Sequence, residues 1–245
     1  MDRLIYTSMT GAGAAQARQA VLANNLANAS TNGFRAEFST FRSVPVRGDG
    51  ATTRVFASEA TAGHDNTPGM PQRTDRPLDA MAQGNAWFAV QGLDGTEAYT
   101  RNGGMEVTAQ GTLINSVGLT VLSADGAPID VPPGSQITLA LDGTITGKVE
   151  GQPPATLGRI KMVTPTAEDP LRRSEDGLFR TANREPLPAD ATARLQTGAV
   201  EGSNVNSVAT MVAMIEAARQ FDSQARLMQA AESDDKAAAQ LLSIG

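Results

Sequence analysis

The residues that could carry chemistry are few and scattered. His64 is the only histidine, and there is no cysteine. A histidine base needs a third group to orient it, and His64 lies in a stretch rich in Pro and Gly, so it reads as loop surface. With Asp65 it offers two neighbouring ligands, fewer than the three protein ligands of a catalytic zinc site. The lack of cysteine removes disulfides and thiolate metal sites. Gly11-Ala12-Gly13 follows the start of a helix rather than a strand, and Gln16 stands where the third glycine of a dinucleotide loop belongs. The carboxylate pairs Glu168-Asp169 and Asp234-Asp235 read as solvated polar sites, and Trp87 reads as core. Asn28-Ala29-Ser30 has the glycosylation pattern, which is too short to be specific. The sequence predicts no catalytic, cofactor-binding or metal-binding residue and no small-molecule substrate. It reads as a protein that is not an enzyme.

The elements that would have to position any such residues are sketched by composition. A chain of 245 residues makes one large domain or two small ones. Aromatics are 4% of residues, while Gly and Pro number 24 and 13, which favours many short strands joined by turns. The net charge of -6 comes without a basic run, so a nucleic-acid footprint is absent and an anionic membrane would attract the chain poorly. No stretch approaches the ~20 apolar residues of a membrane helix. The opening residues, Met1 to Ser8, lack the apolar core of a cleavable signal. That fits a cytoplasmic protein, or one exported by a route that reads no cleavable signal.

Periodicity divides the chain into four parts: 1–44, 45–84, 85–200 and 201–245. In the first, Leu4, Ile5, Met9, Ala12, Ala15, Leu22 and Leu26 recur at helical spacing, predicting a helix over 3–28. Gly11 and Gly13 lie inside it and cost about 1 kcal/mol each relative to Ala, so the helix is marginal without a partner surface. Asn32-Gly33 supplies a turn with Gly33 at positive φ, after which Phe34 docks as an anchor. The second part is broken by Pro45, Pro68, Pro71 and Pro77 and reads as an extended connector with one or two strands. In the third, Asp-Gly pairs at 94, 125, 142 and 176 separate short apolar runs, which predicts hairpins. Its strands include 87–91, 97–101, 119–122, 137–141 and 157–163.

The fourth part has neither Gly nor Pro from 203 to 243. Asn206 or Ser207 is the expected N-cap. Met211, Met214, Ala218, Phe221, Ala225 and Met228 form a coiled-coil seam. Val205, Val208, Val212 and Ile215 form a second stripe, so two packing neighbours are expected. A helix from 207 to 243 would be about 55 Å long, against a diameter of roughly 46 Å for a compact chain of this size. Such a helix would project from the globule with an apolar seam exposed. The competing expectation is a helix broken and folded back within one chain.

Three segments resemble a known family. Asn24-Asn25-Leu26-Ala27-Asn28-Ala29-Ser30-Thr31-Asn32-Gly33-Phe34-Arg35 is similar to the N-terminal signature of the flagellar rod and hook proteins. Gly84 to Gln91, with Ala98-Tyr99-Thr100-Arg101-Asn102-Gly103, resembles that family's central β motif. Gly202 to Val208, with Met211-Val212 and Met214-Ile215, resembles its C-terminal segment. Within the family the proximal-rod members fit best, through Arg35, Phe41 to Val46, Gly177 to Arg180 and Gln240 to Ser243. Met105 departs from the bulkier hydrophobe or aromatic often found there.

The resemblance implies an α+β fold. Long N- and C-terminal helices would pair as a coiled-coil-like layer around a channel, with a central all-β domain of short hairpins facing outward. It implies a structural subunit of the basal-body rod, in the periplasm, that assembles helically with copies of itself and with proximal and distal rod proteins to transmit torque. Export would be by the flagellar type III apparatus, with no cleaved signal. The implied subunit contacts are Asn25, Leu26, Ala27, Asn28, Thr31, Gly33 and Phe34 in the first motif. On the last helix they are Val208, Met211, Met214, Ile215, Ala218, Phe221 and Met228. Trp87, Phe88, Val90 and Tyr99 would form the core of the β motif. A β-rich secreted binding module, an adhesin or glycan binder with dimerising helices, is the alternative. Trimming either terminus would abolish assembly of a rod subunit, whereas a binding module would keep its ligand in the β region.

Overall fold

The computed structural model describes residues 2–45 and 55–243. The chain forms two compact units, one made of 1–29, 36–65 and 205–245, the other of 30–35 and 66–204.

The first unit is helical with one hairpin. Helix α1 spans Asp2–Ala27, and helix α2 at the far end of the unit spans Ser207–Ser243. Both follow the expected bounds. Asn206 caps α2 by accepting the Ala209 amide on Oδ1 at 3.0 Å. Through 37 residues α2 is unbroken, because nothing in it interrupts the backbone hydrogen-bond ladder. The two helices pack on each other. Apart from Asn25, the buried residues described on them are small: Ser8, Ala12 and Ala15 on α1, Ala217 and Ala231 on α2. Small side chains permit close approach but contribute little, about 0.8 kcal/mol for each buried methyl. Strands β1 (Glu37–Pro45) and β2 (Val55–His64) form an antiparallel hairpin packed on α1.

The second unit is all-β. Strands β3 (Pro71–Arg73) and β4 (Ala80–Ala82) precede β5 (Trp87–Gln91) and β6 (Glu97–Thr100). Next come β7 (Met105–Val107), β8 (Leu113–Asn115), β9 (Gln136–Leu139), β10 (Thr144–Lys148), β11 (Ala155–Arg159) and β12 (Met162–Val163). The last four are β13 (Arg172–Arg173), β14 (Phe179–Arg180), β15 (Leu195–Thr197) and β16 (Ala199–Glu201). The largest sheet has the order β12-β5-β6-β14-β13, and β11-β10-β9 form a second. The remaining pairs are β7-β8, β15-β4 and β16-β3, and every pairing is antiparallel. Strand β5 lies between two cores. Phe88 and Val90 enter the larger cluster with Met105, Leu113, Ile129 and Ile145, while Trp87 and Ala89 enter a smaller one with Tyr99, Leu171 and Phe179. Both faces are buried, so the strand reads as a continuous apolar run rather than an alternation.

Several expectations need adjustment. The stretch 45–84 is shared between the units: β2 belongs with the helices, while β3 and β4 belong with the β-rich unit. That unit extends beyond 85–200 because β4 and β3 pair with β15 and β16 from the opposite end of the segment. His64 ends β2 opposite Glu37 instead of lying in a loop. Residues 119–122 contribute isolated bridges, such as Val90 to Val121, not a regular strand. The run 157–163 divides into β11 and β12. In the Asp-Gly pairs at 94, 125, 142 and 176, each glycine has positive φ. In the two Asp-Gly-Thr turns, Asp94 and Asp142 each accept the threonine amide and hydroxyl, which holds both carboxyls below their usual value.

Candidate functional site

Within the β-rich unit, three separated segments meet at a buried charge cluster. The first arrives through the Asn32-Gly33 turn. Gly33 has φ +71, and a Cβ there would lie 2.4 Å from the Arg101 carbonyl carbon and the Asn102 nitrogen. Only glycine fits that approach. Its amide donates to the Glu201 carbonyl at 2.7 Å. Phe34 is buried, with the Arg173 guanidinium 4.4 Å above its ring. Arg35 follows, 3% exposed, with Nη1 2.5 Å from Glu201 Oε1 and 2.7 Å from the Thr67 carbonyl.

The second segment brings Arg101, which is 1% exposed. Its Nε and Nη2 both lie 2.6 Å from Glu201 Oε2. Nη2 also donates to the Ala82 carbonyl at 3.0 Å, and Nη1 donates to the carbonyls of Gly84 and Ala86. The guanidinium carbons of Arg35 and Arg101 each lie 5.8 Å from the Trp87 ring centre. Burial pushes the Arg101 guanidinium below its usual value, and Glu201 pulls it back up.

The third segment brings Glu201 itself, 0% exposed, whose Oε1 also accepts the Gly69 amide at 2.9 Å. Gly69 is pressed against the backbone after it: a Cβ there would lie 1.9 Å from the Gly202 carbonyl oxygen. Asn204 then closes the seam, its amide bonded to the Phe34 carbonyl and its side chain to the Thr67 carbonyl. The cluster holds two cations and one carboxylate, and the carbonyls of Thr67, Ala82, Gly84 and Ala86 accept further guanidinium donors. It is donor-rich: Arg35 Nε and Trp87 Nε1 are buried without a protein acceptor.

A second joint lies inside the helical unit. Asn25, 5% exposed, donates to the Glu37 carbonyl and accepts the Glu37 amide, both at 2.8 Å. It acts as one residue of a strand partner. Asn24 donates to the Glu37 carboxylate, and Asn28 donates back to the Asn24 carbonyl and side chain.

The residues singled out from sequence fall into three groups. Trp87, Phe88, Val90 and Tyr99 are buried. The Tyr99 hydroxyl donates to Glu97 and accepts the Leu187 amide, and burial raises its pKa. Asn25, Gly33 and Phe34, which the resemblance assigned to subunit contacts, have their contacts inside the chain. Leu26 and Asn28 are half-buried, while Ala27 and Thr31 are exposed. On α2, Met214, Ala218 and Met228 are half-buried, whereas Met211 and Phe221 are exposed, with Val208 69% and Ile215 55% exposed. At 100° per residue, Val208, Met211, Val212 and Ile215 span an arc of roughly 100°, and the buried Ala217 lies on the opposite side.

Sequence reasoning missed the charge cluster. Arg35 and Arg101 stand in the motifs that carry the resemblance, but nothing there pairs them, and Glu201, an acid closing the apolar run Ala199-Val200, went unremarked. Among the described residues no three metal-ligating side chains gather, and no helix is long and apolar enough to cross a membrane. A cleft of about 280 Å³ between α1, the hairpin and α2 is lined by Thr7, Phe41, Phe56 and Gln224, with no carboxylate or histidine among the described residues.

Comparison with known proteins singles out the same three segments. Residues 5–35 match the model of the flagella basal body rod protein family, 81–147 match the flagellar hook protein FlgE/F/G D1 domain, and 196–241 match the flagellar basal body rod FlgEFG protein C-terminal family. Arg35, Arg101 and Glu201 fall one in each. The chain is 45% identical to flagellar basal-body rod protein FlgF of Escherichia coli (strain K12), over 100% of both chains. It is 44% identical to FlgF of Salmonella typhimurium (strain LT2), again over 100% of both. Flagellar basal-body rod protein FlgG of Buchnera aphidicola subsp. Acyrthosiphon pisum is 29% identical over 89% of this chain and 91% of its own.

Proposed function

The chain belongs to the flagellar basal-body rod protein family and is a structural subunit of that rod, and we propose on that footing that it sits in the proximal rod and transmits torque by helical packing of its terminal helices. End-to-end likeness to FlgF proteins supports the proximal position. The family is one of structural proteins, not of enzymes, and we assign this chain no catalytic step. Its relatives give no support to an adhesin or glycan binder.

The observation that carries the assembly is the apolar stripe Val208, Met211, Val212 and Ile215, exposed on the side of α2 away from its buried alanines. Soluble chains rarely leave contiguous apolar surface without a partner. The partners are other rod and hook proteins and, in this proposal, copies of the same chain. Phe221, on the flank of the helix pair, joins the contact. In the same reading the chain passes the flagellar type III apparatus unfolded and takes its place in the part of the rod that crosses the periplasm.

Burying one such side chain contributes roughly 1.5–3 kcal/mol, and a charge there would be left without a partner. Ile215→Asp and Phe221→Asp are expected to abolish rod assembly and swimming while leaving the purified subunit folded. Cells carrying either substitution that swim at the normal rate would contradict the proposal.

A further inference from the structure

We infer that Glu201 is the latch of the β-rich unit: until it docks, Arg35 and Arg101 bring two positive charges into the interior with no counter-charge, and the unit stays open. The three side chains come from positions 35, 101 and 201, so nothing local in the chain can pair them. Arg101 cannot shed its proton to escape burial, and burial disfavours its charged form. Among the described residues no second carboxylate pairs with either arginine, and Arg35 Nε and Trp87 Nε1, buried without an acceptor, are further donors. Glu201 also accepts the Gly69 amide with its side chain and the Gly33 amide with its backbone carbonyl. One residue therefore ties the 30–35 segment, the 66–84 segment and the β5-β6 hairpin together.

A chain that emerges from its N-terminal side presents both arginines before the carboxylate. Closure of the unit then waits for β16, however early β5 and β6 could pair. A subunit that must stay unfolded while it is threaded, as proposed above, would gain from that delay. The latch itself does not depend on that reading, because it is a property of the isolated chain.

Trp87 is the only tryptophan, and both guanidinium carbons lie 5.8 Å from its ring centre, so its emission reports the junction directly. The test refolds the full chain from urea, following Trp87 in wild type, Glu201→Gln, Val200→Ala and the triple variant Arg35→Met/Arg101→Met/Glu201→Met. Val200 is a buried neighbour on the same strand and takes no part in the ion cluster. Breaking a buried ion group one-sidedly is expected to lower the closure equilibrium constant by roughly two to four orders of magnitude, whereas removing all its charges together can be nearly neutral. Glu201→Gln should refold slowly or leave Trp87 in water. Val200→Ala should lose much less, and the triple variant should regain the buried emission. Glu201→Gln refolding with wild-type rate and emission would overturn the inference. So would a triple variant as impaired as Glu201→Gln, since strand shape and not charge would then control closure.

Discussion

Gly33 shows how much a single position can constrain this fold. It combines positive φ, an amide bonded to Glu201 and a backbone approach to Arg101 that leaves no room for a Cβ. Gly33→Ala should destabilise the β-rich unit by roughly 2–5 kcal/mol, adding the left-handed penalty to overpacking. Urea unfolding followed by Trp87 emission measures it, and a midpoint within error of wild type would contradict the geometry. Phe34 and Arg35 depend on the same turn, because its geometry aims one into the interior beneath Arg173 and the other at Glu201.

Among the secondary-structure elements, α1 is the weak partner of its unit. Apart from Asn25, its buried residues are Ser8, Ala12 and Ala15, and two glycines lie within the helix. Gly11 faces Gln224, and a Cβ there would approach the amide end of that side chain at 3.0 Å, a contact the flexible glutamine can relax. Gly13 is exposed, and a methyl group added there would meet nothing within 4 Å. Gly13→Ala is therefore expected to stabilise α1 in the free subunit by up to about 1 kcal/mol, read as increased helicity and a raised thermal midpoint. No gain in helicity would mean that α1 is already held by its neighbours. The hairpin of β1 and β2 depends on α1 in turn. Two strands alone are marginal in water, and Asn25 supplies the first of them with both bonds of a missing neighbour.

Across the full chain, the two units should differ in how firmly they hold their structure. The β-rich unit has two apolar cores and a buried ion cluster. The helical unit pairs its helices through alanines and leaves the apolar stripe of α2 in water. Ordering a helix costs roughly 1–2 kcal/mol per residue in backbone entropy, which a thin alanine seam barely offsets. Hydrogen exchange on a dilute, verified monomer should find 30–35 and 66–204 protected and α1 and α2 exchanging much faster. Both helices should become protected together on assembly. Slow exchange across α1 and α2 in the monomer would mean that their pairing needs no neighbouring subunit.

Elements that rest on local chemistry were legible before any folding. The limits of α1 and α2 follow from periodicity and the Asn206 cap, the hairpins from Asp-Gly turns, and the Gly33 turn from its dipeptide. Each depends on residues a few positions apart, where backbone preference and spacing act directly. Two features emerged only on folding. One is the facing surface of α2: periodicity favoured a seam through Met211, Ala218 and Phe221, yet Ala217 is the residue most buried. A helix cannot announce its partner, and α1 presents small residues that admit other small residues most closely, with Met214 and Met228 on the flanks. The other is the junction of Arg35, Arg101 and Glu201. Arg101 and Glu201 are 100 residues apart, and a charge pair formed over that distance leaves no period to read. Only when β16 pairs with β3 and the Gly33 turn closes do the three charges share one interior, where low polarity makes their pairing obligatory.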